Sequence, residues 1–182
     1  MTKLALLLAA GSFALAAPLT PAIATIETPE AKSVASDAAA IARAHMAETF
    51  GDKPLKPGQY LWRDGAPVRG PSRVVISLGD QMAYLYRGDA LVAVSTISSG
   101  TEQNPTPTGI FPILDKKTMH RSIKYDNAPM PFMQRLDQYG IALHAGALPG
   151  YAASHGCIRL PAKFAAKLFA ATEIGSPVLI GA

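Results

Sequence analysis

Toward its C-terminal end the chain reads His144-Ala145-Gly146, then a short loop, then Ser154-His155-Gly156-Cys157-Ile158-Arg159-Leu160. Cys157 is the only cysteine. The thiolate is the attacking form of cysteine, and a free thiol is only partly ionised near neutral pH, so a nucleophilic cysteine wants an imidazole in reach. Two histidines compete for that place. His155 lies two residues before Cys157, and on an extended segment its side chain leaves on the same side. His144 ends a strand further upstream, and the loop Ala145 to Ala153, with Gly146, Pro149 and Gly150, can fold back to bring it against the cysteine. No Asp or Glu lies between Gln138 and Thr172, so an orienting partner from this region has to be a backbone carbonyl, which can fix an imidazole tautomer by itself. Gly156 lets a substrate carbonyl approach the backbone, and the amides of Gly156 and Cys157 offer an oxyanion hole. The chemistry this suits is attack by a cysteine thiolate on a substrate carbonyl.

The neighbouring residues carry plainer readings beside functional ones. Arg159 has a planar fork that suits a substrate carboxylate, or it ties the cysteine loop to a sheet. Ser154 is of the type that hydrogen-bonds a turn. His45 reads as a surface residue, and His120, beside Lys116, Lys117 and Arg121, as a solvated side chain that could edge a cleft. The cluster Met130-Pro131-Phe132-Met133 reads as core. His144, His155 and Cys157 lack a fourth ligand at zinc spacing, so no metal is expected.

These residues need a scaffold, and from Arg73 onward the chain is built of short β-type runs with sharp punctuation. Val74 to Leu78, Met82 to Tyr86 and Leu91 to Ile97 are separated by Gly79-Asp80 and Gly88-Asp89, which predicts an antiparallel meander. Thr106-Pro107-Thr108-Gly109 is a turn leading into Ile110 to Leu114, and a polar stretch then runs to Pro131. Phe132 to Leu136 and Tyr139 to His144 follow as extended runs. A helix fits Pro161 to Thr172, which sets Cys157 just ahead of a helix start, and Pro177 to Ile180 closes as a strand. The expected fold is mainly β, a curved mixed sheet or a β-sandwich, with one helix following the nucleophile and an N-terminal helical extension.

Upstream, three regions are expected: residues 1–24, 25–72 and 73–182. Lys3, the apolar run Leu4 to Ala17 and the small residues of Ala22-Ile23-Ala24 read as a signal peptide cleaved after Ala24. Its apolar run is shorter than the ~20 residues that span a bilayer, so membrane association is expected to be transient, before cleavage. Export makes a lone cysteine informative, because disulfides need pairs and a spare thiol there is at risk of oxidation. Thr28-Pro29 starts a helix and Gly51 stops it, with Val34, Ala38 and Ile41 at helical spacing. Residues 52–71 are rich in Pro and Gly, with one short extended piece at Tyr60-Trp62. The net charge of +4, without a Lys/Arg run or interleaved aromatics, argues against nucleic acid and suits an anionic polymer such as the cell wall. Oligomeric state leaves no mark on the sequence.

The segment from Ser154 to Leu160, with the histidine and small residue ahead of it, resembles the L,D-transpeptidases with the YkuD-type catalytic domain. Their signature is a histidine and a small residue, a variable loop, then Ser/Thr-His-Gly-Cys, an aliphatic residue and Arg. Ser98-Ser99-Gly100, the turn Thr106 to Gly109, and Ala128-Pro129-Met130-Pro131-Phe132 are similar to further family features, so the resemblance spans about residues 73 to 181. It implies that Cys157 forms the acyl-enzyme, that His144 accepts its proton, and that the carbonyl of Ala145 orients the imidazole. It also puts His155, Gly156 and Cys157 at the oxyanion hole. The implied substrate is a peptidoglycan stem tetrapeptide, acylated with loss of its terminal D-alanine and passed to an amine on a neighbouring stem, with no cofactor, in the periplasm or cell envelope. Ala145 stands where the family commonly has Gly, and the loop to the cysteine is short. A carboxypeptidase or cross-link hydrolase would use the same pair, and a non-catalytic wall-binding module would need neither residue. A papain-type protease has its cysteine ahead of its histidine, the reverse of the order here.

Overall fold

The computed structural model describes residues 27–65 and 69–182. The signal-peptide segment, residues 1–24, lies outside them. The described chain opens with α1 (Pro29–Phe50) and the short β1 (Tyr60–Trp62). Next come β2 (Ser72–Ser77), β3 (Met82–Arg87), β4 (Ala90–Thr96) and β5 (Gly109–Pro112). Then β6 (Asp115–Arg121), β7 (Pro129–Arg135), β8 (Ala142–Ala145) and β9 (Ile158–Leu160) lead to α2 (Ala162–Ala171) and β10 (Pro177–Gly181). Two sheets result. One has the order β1-β4-β3-β2-β10-β5 and the other β6-β7-β8-β9. The meander β2-β3-β4 is antiparallel, as its glycine-aspartate turns require, whereas β10 joins β2 in parallel.

The six-stranded sheet is covered on both faces, which is why its strands read as nearly continuous apolar runs. Val74, Ile76, Ala83, Leu85, Val178 and Ile180 point into the core shared with the second sheet and α2, where they meet Leu143, Ile158, Leu160, Phe164 and Leu168. Their sequence neighbours Val75, Tyr84 and Leu179 point the other way and pack under α1. Thr28 caps α1 by accepting the amide of Ala31 at 3.2 Å, Pro29 occupies its first turn, and Gly51 at φ +84° ends it. The helix is thus a layer of the fold.

Its buried stripe corrects the sequence reading. Val34 and Ile41 are more than half exposed, while Ala31, Ala35, Ala39 and Ala42 face the sheet. Small side chains let the backbones approach closely: a Cβ on Gly181 would stand 2.6 Å from the carbonyl oxygen of Ala35. His45, expected at the surface, is half-buried, with Nδ1 3.0 Å from the hydroxyl of Tyr86.

Two strands went unread in the sequence. The polar stretch after Leu114 forms β6, an edge strand whose side chains are largely exposed on both faces, so it lacks the alternation that marks a half-buried strand. Ile158 to Leu160 forms β9 between Cys157 and α2. The helix, expected from Pro161, starts at Ala162, five residues beyond the cysteine, and Ala162 lines the same cleft as Cys157.

Candidate active site

The second sheet brings the candidate residues together through the parallel pairing of β8 with β9. Leu143 stands opposite Ile158, His144 opposite Arg159 and Ala145 opposite Leu160. Along each strand side chains alternate, so Leu143, Ala145, Ile158 and Leu160 enter the core and His144 and Arg159 face the other way. Cys157, two residues before Arg159, lies on that same open face and packs against Met130, Met133 and Ala142. The thiol and the imidazole, separated by a loop in sequence, thus become diagonal neighbours on adjacent strands. They share a cleft of about 890 Å³, walled by β6, β7 and the turn between them.

His144 is buried, and its Nδ1 lies 2.8 Å from the carbonyl oxygen of Ala145. Only a protonated Nδ1 can donate there, which leaves the lone pair on Nε2. Burial pushes the imidazole pKa below its usual 6.5; the bond to Ala145 opposes that shift, and the positive charge of Arg159 adds to it. The Cys157 thiol is pushed up, again chiefly by burial, with Asp137 adding to the effect and a backbone contact from Ala142 and the charge of Arg159 opposing it. Its Sγ lies 3.6 Å from the carbonyl oxygen of Gly140, toward which the S–H is directed. Both shifts favour the uncharged forms of the two groups.

The loop that carries the cysteine rests on a bed made by the Ser98-Ser99-Gly100 and Thr106 to Gly109 segments. Ser98 exchanges backbone hydrogen bonds with Arg159 at 2.9 and 3.0 Å, and the carbonyl of Ser99 accepts the amides of Ala153 and Ser154. Thr106 Oγ1 accepts the amide of Gly100 at 2.9 Å and donates to the carbonyl of Gly156 at 2.8 Å. Gly100 has no room for a side chain, since a Cβ would meet the Asn104 carbonyl oxygen at 2.1 Å. Ser154, buried, accepts the amide of Gly156 at 3.1 Å and donates to the carbonyl of Cys157, the turn role its type suggests. That bond already engages the Gly156 amide, one of the two expected oxyanion donors. Gly156 instead provides the bend, at φ +107° and with Ile141 Cδ1 2.7 Å from where a Cβ would stand.

His155 is exposed at the rim of the cleft and stacks on Tyr125 from the β6–β7 turn, ring centroids 4.5 Å apart. His120 lines the cleft, and so do Met130 and Met133, which are both core and wall. The stem of Arg159 packs over Gly146, where a Cβ would be 3.0 Å from its Cγ. Its guanidinium forms no ion pair among the described residues. The backbone of Arg159 thus ties the loop down, and its side chain lines the cleft.

Three contributors escaped the sequence reading. Asp137, buried, accepts the amides of Tyr139 and Ile141 at 2.9 Å and so shapes the turn that presents the Gly140 carbonyl to Cys157. Gln81 braces Ser99 through both ends of its amide. Tyr125 is the third. Asp137 followed three residues later by Gly140 is a turn signal that marks the first; the other two act across the fold and leave no local trace.

A family model of the L,D-transpeptidase catalytic domain, YkuD, matches residues 71–180. The chain belongs to this family. Solved structures of similar fold include an L,D-transpeptidase from Mycobacterium smegmatis, with a TM-score of 0.57 and 19% identity over 61% of this chain and 58% of that one. An L,D-transpeptidase from Stackebrandtia nassauensis gives a TM-score of 0.58 at 19% identity, covering 75% of this chain and 64% of that one. L,D-transpeptidase 3 from Mycobacterium tuberculosis, in complex with a faropenem-derived adduct, gives 0.57 at 22% identity, covering 62% of this chain and 60% of that one. At these identities the likeness is one of fold, and the chain spans roughly three-fifths of the length of the structures it matches. No curated protein sequence matches it. In this L,D-transpeptidase domain the family's mainly β architecture is present, as two mixed sheets with the helix α2 after the Cys157 loop.

Proposed function

We propose that the protein is an exported peptidoglycan L,D-transpeptidase of the periplasm or cell envelope, working through a Cys157 acyl-enzyme with His144 as general base. The observation that carries the reading is the bond between His144 Nδ1 and the Ala145 carbonyl, which turns a basic Nε2 toward the face of the sheet that holds Cys157. Nε2 takes the thiol proton as Sγ attacks the amide carbonyl ahead of the terminal D-alanine of a stem tetrapeptide. The new oxyanion is met by the amides of Cys157 and His155, that of Gly156 being engaged by Ser154. His144 then hands the proton to the departing D-alanine nitrogen, leaving a thioester on Cys157. An amine of a neighbouring stem attacks the thioester, His144 removes its proton and returns one to sulfur, and a new amide joins the two stems. Arg159, which forms no ion pair among the described residues and lines the cleft, is suited to the carboxylate of the departing residue.

A tetrapeptide supplied with a stem amine should release D-alanine and give a joined product. D-alanine release with only the shortened acid formed would instead mark a carboxypeptidase, and no release would reject the acyl-transfer reading.

A further inference from the structure

The charges that line the cleft are unequal. Lys117, Lys124, Arg135 and Arg159 bring fixed positive charge, and Asp115 is the one carboxylate among the lining residues. Asp115 is engaged by Lys117 at 3.5 Å, and Arg135 is turned to the carbonyl of Asp137 at 3.0 Å. Lys124 and Arg159 are left with no ion pair among the described residues. They reach the cleft from opposite walls. Arg159 rises from β9 two residues past the nucleophile, and Lys124 hangs from the β6–β7 turn beside Tyr125, its ammonium 5.3 Å from the centre of that ring. Because Tyr125 stacks on His155, the turn is held against the nucleophile loop, and Lys124 is held with it.

A departing residue with one carboxylate needs one cation, and Arg159 supplies it. Acyl transfer makes no use of the second cation, which forms no ion pair among the described residues and lies over the Tyr125 ring. We propose that Lys124 selects acyl donors that carry a further free carboxylate upstream of the departing residue, so that acidic stems are used in preference to stems in which that group is a carboxamide. This rests on the transpeptidase reading and adds to it a substrate class and the residue that reads it. A carboxamide keeps the shape and one acceptor oxygen of the acid and loses its charge, so the pair of substrates isolates the charge-assisted bond.

The test uses two synthetic tetrapeptides that differ only in a side-chain carboxylate against its carboxamide, with the C-terminal carboxylate kept in both. Acylation of Cys157 is followed by intact-protein mass, and kcat/KM is measured at low and high salt. The full chain should favour the acid on the order of tenfold, the scale of a hydrogen bond to a charged group. Salt should shrink that preference. Lys124→Gln should bring the ratio close to one, Lys124→Glu should invert it, and Lys124→Arg should keep it. Equal use of the two peptides by the unmodified chain, or a preference that survives in Lys124→Gln, overturns the proposal while the transpeptidase reading stands. Acylation by neither peptide overturns both.

Discussion

The sulfur of Cys157 lies 3.6 Å from the carbonyl oxygen of Gly140, so the resting nucleophile has an acceptor for its proton that is not the histidine. Burial raises the thiol pKa and lowers that of His144, which favours a resting state with the proton on sulfur and the imidazole neutral. This differs from a preformed thiolate and imidazolium, in which the histidine would already hold the proton.

A pH profile separates the two states. Because the His144 pKa is depressed below 6.5, the imidazole stays neutral at pH values where an ordinary histidine is half protonated, and kcat/KM should fall only as pH drops through that lowered value. Alkylation of Cys157 by a neutral reagent should have its midpoint above the ordinary thiol value of about 8.5. An alkylation rate already at its plateau in mild acid would show an ion pair and contradict the neutral resting state.

The two histidines should differ sharply. His144→Ala removes the proton acceptor and should slow acylation on the order of 10²- to 10⁴-fold. His155→Ala removes only a ring stacked on Tyr125, and its backbone amide survives, so a loss of roughly 2- to 12-fold is expected, the scale of an aromatic pair. Single-turnover acylation rates decide between them, and a larger effect at His155 reverses the assignment.

Thr106 tests the bed beneath the nucleophile. Its hydroxyl is buried and joins the Gly100 amide to the Gly156 carbonyl. Thr106→Val keeps the shape and strands both groups, at a cost of roughly 1–3 kcal/mol. The urea midpoint should fall and acylation should slow; an unchanged midpoint would mean that the turn does not support the loop.

Local signals were enough where one stretch of chain settles its own structure. Thr28-Pro29 and Gly51 bound α1, and the Gly-Asp turns set out the meander β2 to β4. The helical run Pro161 to Thr172 marked α2. What the sequence hid was decided by distant partners. The polar β6 is held in its sheet by pairing with β7 alone, and β9 is too short to show a period. The open face of the site was legible in residue type, since His144 and Cys157 were both singled out, but their meeting depends on a parallel ladder that no local pattern specifies. For the same reason the Gly156 amide was read as free, when the buried Ser154 hydroxyl engages it.

The helix α1 offers the clearest case of composition misleading. Val34 and Ile41 are exposed while Ala31, Ala35, Ala39 and Ala42 are buried, because the close approach at Gly181 leaves no room for larger side chains there. Ala39→Asp should therefore cost on the order of 3 kcal/mol by burying an unpaired charge, whereas Ile41→Asp should stay within about 0.5 kcal/mol. Urea unfolding of the two variants checks this. Equal and small effects would mean that α1 does not stay on the sheet.

The central claim is that Cys157 carries the acyl group, and intact-protein mass spectrometry after brief mixing with a stem tetrapeptide tests it most directly. The account predicts one covalent adduct, raising the protein mass by that of the peptide less one molecule of D-alanine, placed on Cys157 by peptide mapping and absent from Cys157→Ala. An adduct that persists in Cys157→Ala, or D-alanine release by that variant at the unmodified rate, would contradict it.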